Sequence, residues 1–98
     1  MRRVVLVVLV LASAAVAFVV SLVMLVSDYL LLVQATEHFA RLAADPATSA
    51  PAMIAAATGQ DMHRINTFAD GTWALLSAIW FTLGLIAWPH AAADAGRR

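Results

Sequence analysis

The chain has 98 residues, of which 63% are hydrophobic and 12% charged, with a formal net charge of zero and no cysteine. A water-folded domain of this length hides only a modest share of its area, so it cannot bury that much apolar surface. The balanced charge offers no basic stripe for phosphates, which sets nucleic acid aside, and the missing cysteine excludes disulfides and thiolate metal sites.

All six basic residues are arginine, and alanine and valine abound, a bias typical of a GC-rich bacterial genome. Two apolar stretches dominate. Residues 4–33 are interrupted only by Ser13, Ser21, Ser27 and Asp28, and residues 72–88 carry no charge. About 20 apolar residues suffice for a helix to cross a bilayer. The expected fold class is all-α: an integral membrane helical hairpin with two transmembrane helices and a partly helical extramembrane connection.

The first stretch opens like a secretory signal, with Arg2 and Arg3 before the apolar run and small-x-small sites at Ala12-Ser13-Ala14 and Ala15-Val16-Ala17. The run continues far beyond those sites, whereas a cleaved signal stops after a short apolar core, so an uncleaved anchor is expected. Thirty helical residues would rise about 45 Å against about 30 Å of hydrocarbon. Asp28 selects the register. A carboxylate at mid-membrane costs about 2.5–3.5 kcal/mol, so the span is placed at residues 4–24 or 4–26, with Asp28 and Tyr29 at the outer interface. An acid inside an apolar run marks a proton path by default; at the interface Asp28 is instead an anchor or a hydrogen-bonding partner for another helix. Arg2 and Arg3 snorkel to the inner headgroups. Leu30, Leu31, Leu32 and Val33 then emerge just beyond the lipid core and need cover from headgroups, from the chain's own connection or from another protein, the partner-facing reading being preferred.

Residues 34–71 form the expected periplasmic or lumenal connection. Leu31, Ala35, His38 or Phe39, and Leu42 share one helical face, and Glu37 and Arg41 form an i,i+4 pair of the favourable order. Asp45-Pro46 ends that helix. Ser49 is placed to cap a short helix from Pro51 to Thr58, which Gly59 would close. Asp61 would cap a third piece carrying Met62, Ile65, Ala69 and Trp73 as one stripe. A break at Asp70-Gly71-Thr72 and a continuous helix are both compatible with the residues.

The second span covers residues 72–89. Residues 72–88 rise about 25 Å, and adding Phe68 and Ala69 reaches full thickness. Trp73 and Trp88 sit near its ends as interfacial anchors, with Tyr29, Arg2 and Arg3 serving the first span. Pro89 is expected to stop the helix, leaving residues 90–98 as a short tail. Arginines at 2, 3, 97 and 98 place both termini in the cytoplasm of a bacterial inner membrane.

Ser13, Ala17 and Ser21 recur every four residues, as do Ala74, Ala78 and Thr82, while Ser77 and Gly84 stand seven apart. Such stripes let transmembrane helices approach closely, so these six evenly spaced positions are the candidate packing interface; chance in an alanine-rich chain gives the same pattern. His38, His63, Glu37 and Asp61 offer metal-type ligands, but no His-x-x-x-His or Glu-x-x-His pair supports a site, and no metal is expected. No histidine falls within a span, which argues against axial ligation of haem or pigment. Trp73, Trp80 and Phe81 read as lipid-facing aromatics, with peripheral contact to a lipid, quinone or pigment tail left open. The chain needs no cofactor of its own.

The second span lacks the acid of an ATP-synthase rotor hairpin, the chain has too few spans for a small multidrug exporter, and it lacks the cysteine pairs of a mercury carrier. No phosphate loop or nucleophile elbow is present, so no catalysis is expected. The residues point to a non-catalytic accessory subunit of a larger membrane complex, respiratory or photosynthetic foremost, whose partners are membrane lipid and other integral membrane subunits or itself. The rival is a phage-type holin, a short two-span chain that self-associates into a membrane lesion; its usual short connection and strongly charged tail are missing here. A third class is a sensor whose outer helices bind a ligand.

Overall fold

The computed structural model describes residues 1–97; Arg98, one of the arginines used for topology, lies outside the described residues. The chain is all-helical. Two long helices, α1 (Arg2–Ala44) and α2 (Ala50–Gly96), are joined by a short link to form a hairpin. Both are long and apolar enough to cross a membrane.

The link is built by local polar chemistry. Asp45 Oδ1 accepts from the Ala47 N–H at 2.9 Å, and Thr48 Oγ1 donates to the Leu42 carbonyl at 2.7 Å, satisfying one of the carbonyls that the end of α1 leaves open. Ser49 Oγ accepts from the Ala52 N–H at 3.3 Å and so caps α2. The break at Asp45-Pro46 and the cap at Ser49 are where the residue types put them.

Two expected interruptions of α2 are absent, and of the two readings left open at Asp70-Gly71-Thr72 the continuous helix is the one found. Gly59 does not close a helix: no glycine has positive φ, the conformation such a closing residue would need. Asp61 is not a cap but lies within α2, its Oδ1 3.6 Å from Arg64 Nη1. Asp70-Gly71-Thr72 continues as helix. Pro89, expected as a stop, also lies inside α2. Proline removes one N–H and crowds the preceding turn, yet the residues after it are held by tertiary contact. Ala91 is buried at 4% exposure, and Asp94 pairs with Arg3.

The chain divides into two units. The first combines Met1–Leu22 with Thr72–Arg98, and the second is Val23–Gly71. In the first, Val4, Val7, Leu11, Ala14, Phe18 and Ser21 of α1 are among the less exposed positions, with Val10 and Ala15 beside that line. In the second the less exposed positions are Leu25, Asp28, Leu32, Ala35, Phe39 and Leu42. Alternating steps of three and four are the spacing of a helix paired along a coiled-coil seam.

Very little is enclosed. The buried residues are Ala14, Ala74, Ser77, Gly84 and Ala91, and no large side chain is fully buried among the described residues. The accessible surface is 7136 Å². A water-folded monomer of 10.4 kDa exposes about 5,400 Å².

Pro89→Ala should restore one helical hydrogen bond and remove a ring that costs about 3 kcal/mol in an ordinary helix interior. The thermal midpoint of the chain in mild detergent is expected to rise. A fall would mean that the proline shapes a bend the pair requires.

Candidate functional site: a small-residue seam and a carboxyl pair

The first unit brings its helices together through side chains that are nearly absent. Gly84 is the point of closest approach: a Cβ there would lie 2.7 Å from Leu11 Cδ2 and 3.0 Å from Leu11 Cγ. Ala74, Ser77 and Ala91 extend the α2 side of this seam, and Ala14 is the buried residue of α1. Ser77 can be buried at low cost because its Oγ donates to the Trp73 carbonyl at 2.8 Å within its own helix. At one end of the unit Arg3 Nη1 donates to Asp94 Oδ2. Arg3 is 75% exposed, so this ion pair contributes at most about 1 kcal/mol.

The residues expected to form the packing interface are distributed over this unit. Ala74 is buried, Ser21 and Ala78 are partly buried, and Ser13, Ala17 and Thr82 are exposed. Ser13 Oγ donates to the Val10 carbonyl and Thr82 Oγ1 to the Ala78 carbonyl, each within its own helix. Ser13 and Ala17 line an open groove of about 250 Å³ with Trp73, Leu76, Ser77 and Trp80, while Ala14 forms its floor. Ala78 and Thr82 line a second groove of about 330 Å³ with Ala15, Phe18, Val19 and Phe81.

Ala14, Gly84, Ala91 and Leu11 were not singled out by a four-residue rule. Four-residue steps drift around a helix, whereas the seam keeps a seven-residue repeat. The spacing of Ser77 and Gly84 carried that signal.

The anchors are also placed. Arg2, Tyr29, Trp73 and Trp88 are exposed, as are Trp80 and Phe81. Leu30, Leu31 and Val33 are exposed at 56%, 43% and 38%, while Leu32 turns to the partly buried side.

In the second unit the seam changes character. Gln60 Nε2 donates to Thr36 Oγ1 at 3.1 Å, a direct bond between the helices. In the register that this bond sets, Asp28 of α1 and Asp70 of α2 come within one turn of each other at partly buried positions. A hydrogen bond with Asp28 raises the Asp70 pKa above the ordinary carboxylate value, and loss of water and the Asp28 charge push the same way. Asp70 Oδ2 is shut off from water, and His63 Nδ1 on the same helix is likewise buried without a hydrogen-bond partner. Glu37, His38 and Asp61 are exposed, and among the described residues no three His, Asp or Glu side chains converge to hold a metal.

Comparison with known proteins finds no matching family, no matching curated protein and no matching solved structure.

The seam makes a graded prediction. Gly84→Ala needs only a rotation of the Leu11 end, and alanine gains about 1 kcal/mol of helix propensity, so stability should change by less than about 1 kcal/mol. Gly84→Leu must separate the helices and should cost more than about 2 kcal/mol. Ala17→Leu, at an exposed position, should leave the hairpin within about 0.5 kcal/mol. Unfolding in mild detergent measures all three, and equal tolerance of leucine at 84 and 17 would contradict the close approach.

Proposed function

We propose that the chain is an integral membrane hairpin that serves as a non-catalytic accessory subunit of a larger membrane complex, respiratory or photosynthetic in kind, in a bacterial inner membrane. Membrane insertion is supported by where charge stops. No charged residue lies between Arg3 and Asp28, or between Asp70 and Asp94. Helical rise gives about 37 Å and about 36 Å for these intervals, a match to a hydrocarbon core of about 30 Å with its interfaces. Because α2 continues through Pro89, its span is read as residues 72–93 rather than one that reaches back to Phe68. The α1 span is residues 4–26, and Asp28 and Asp70 lie outside both.

Orientation follows from charge sign. The second unit holds Asp28, Glu37, Asp45, Asp61 and Asp70 against Arg41 and Arg64, whereas Arg2, Arg3, Arg97 and Arg98 belong to the terminal ends. Arginine near span ends favours the cytoplasm, so both termini face inward.

The accessory role rests on one observation. Beyond the spans, α1 continues for about 24 Å after Asp28, and α2 runs for about 30 Å before Asp70. On these extensions Leu30, Leu31, Val33, Ile54, Met62, Ile65 and Phe68 are exposed, and Ile54 and Met62 lie about 24 Å and about 12 Å of helix past Asp70, beyond the interface. Apolar surface of this kind in water marks a protein partner. The proposed mechanism is mechanical. The spans dock beside neighbouring transmembrane helices, with the Ser13–Ala17 groove available to them, and the extensions cover a flank of the partner. Peripheral contact with a lipid, quinone or pigment tail along Trp73 and Trp80 is compatible with this role and needs no ligand from the chain.

Purification from the native membrane in mild detergent should recover the chain in a stoichiometric complex with other integral membrane proteins. Replacing Leu30, Leu31 and Val33 together by serine should release it without unfolding the hairpin. Prompt cell lysis on induced expression, with the chain recovered only as its own oligomer, would instead identify a holin-type lesion former and end the accessory reading.

A further inference from the structure

The second unit contains a polar layer that its apolar neighbours do not explain. On α1 the partly buried positions run Leu25, Asp28, Leu32, Ala35, and on α2 they run His63, Thr67, Asp70. The Gln60–Thr36 bond fixes the antiparallel register of the unit, and eight residues further along each helix it brings Asp28 opposite residue 68, within one turn of Asp70, with both acids partly buried. Among the described residues neither carboxyl is paired with a cation, and Asp70 Oδ2 has neither water nor a hydrogen-bond partner. Two ionised carboxylates cannot satisfy one another, since both only accept. A single proton between them converts the pair from repulsion to a charge-assisted O–H···O bond, and it supplies the partner that the buried oxygen lacks.

We propose that Asp28 and Asp70 form a proton-operated latch, which shares one proton when the second unit is closed and loosens that unit when the proton is lost.

The surrounding groups leave the pair to itself. Only α1 and α2 pack here. On α1, Tyr29 is exposed, and the next titratable residues, Glu37 and His38, are exposed and more than two turns away. On α2, Arg64 is exposed and lies beside Asp61, while His63 shares the seam but is two turns, about 10 Å, nearer the link. No basic group is placed to neutralise the second charge.

The sign follows from linkage. Asp70 binds its proton more tightly folded than unfolded, so its contribution is complete below the ordinary carboxylate range. It is lost as pH rises through the raised folded value. The latch is therefore closed on the acid side and strained on the alkaline side, and it operates in the chain alone, whatever its partners.

Two measurements on the full chain in detergent micelles test this. Carboxyl-carbon NMR should show Asp70 titrating above the ordinary carboxylate range, and the Asp28→Asn substitution should lower its midpoint. Amide exchange over residues 60–71, corrected for its intrinsic pH dependence, should accelerate about tenfold or more as pH crosses the Asp70 midpoint, and should not do so in Asp28→Asn. An Asp70 midpoint within the ordinary carboxylate range, a midpoint unmoved by Asp28→Asn, or corrected exchange that ignores pH would each overturn the latch. The titration of the unsubstituted chain decides the matter even if the variant fails to fold.

Discussion

The packing of the first unit depends on small side chains along its seam, where the Leu11 side chain lies against Gly84. A glycine opposite a leucine lets the leucine end rest where a Cβ would otherwise stand. Helices that close have no room between them for a second layer of large side chains. The seam is accordingly made of Ala14, Ala74, Ser77, Gly84 and Ala91, and Leu, Val, Ile, Phe and Trp are turned outward. In water that outward surface would be penalised at about 25 cal/mol per Å². In hydrocarbon the penalty vanishes, and the van der Waals contact along the seam becomes the main force holding the helices together. The composition and the packing are two aspects of one choice of solvent.

In the proposed membrane reading, the charges mark where the lipid ends. Arg3 and Asp94 close one side of the uncharged interval, and Asp28 and Asp70 close the other. The two ends are chemically different. Opposite charges at the Arg3–Asp94 end are exposed and gain little, whereas two like acids at the other end are partly enclosed and must share a proton or repel. Within the second unit the helices are also joined by a polar bond, Gln60 to Thr36.

Much of this was legible in the residues. The two apolar stretches, the break at Asp45-Pro46 and the cap at Ser49 depend on local chemistry, and local chemistry decided them. The continuity of α2 did not. Gly59, Asp61, Asp70 and Pro89 each carry a local signal to stop, and each was overridden by the helix's pairing with α1, which a reading of short windows cannot weigh. The seam was half visible. Ser77 and Gly84 showed the seven-residue spacing, but Ser13, Ala17 and Ser21 suggested a four-residue one, and nothing local distinguishes the two. The meeting of Asp28 with Asp70 was invisible, because it depends on how two distant segments are matched along the pair.

The most direct test of lipid as the solvent is a depth scan. The chain has no native cysteine, so single cysteines can be introduced without background. With a membrane-impermeant maleimide on intact vesicles, cysteines at Val8, Val16, Leu75 and Ile86 should stay unlabelled until detergent is added, while those at Glu37 and Thr58 should label from one side only. Labelling of Val16 and Leu75 at the rate of Glu37 would contradict the account at its root.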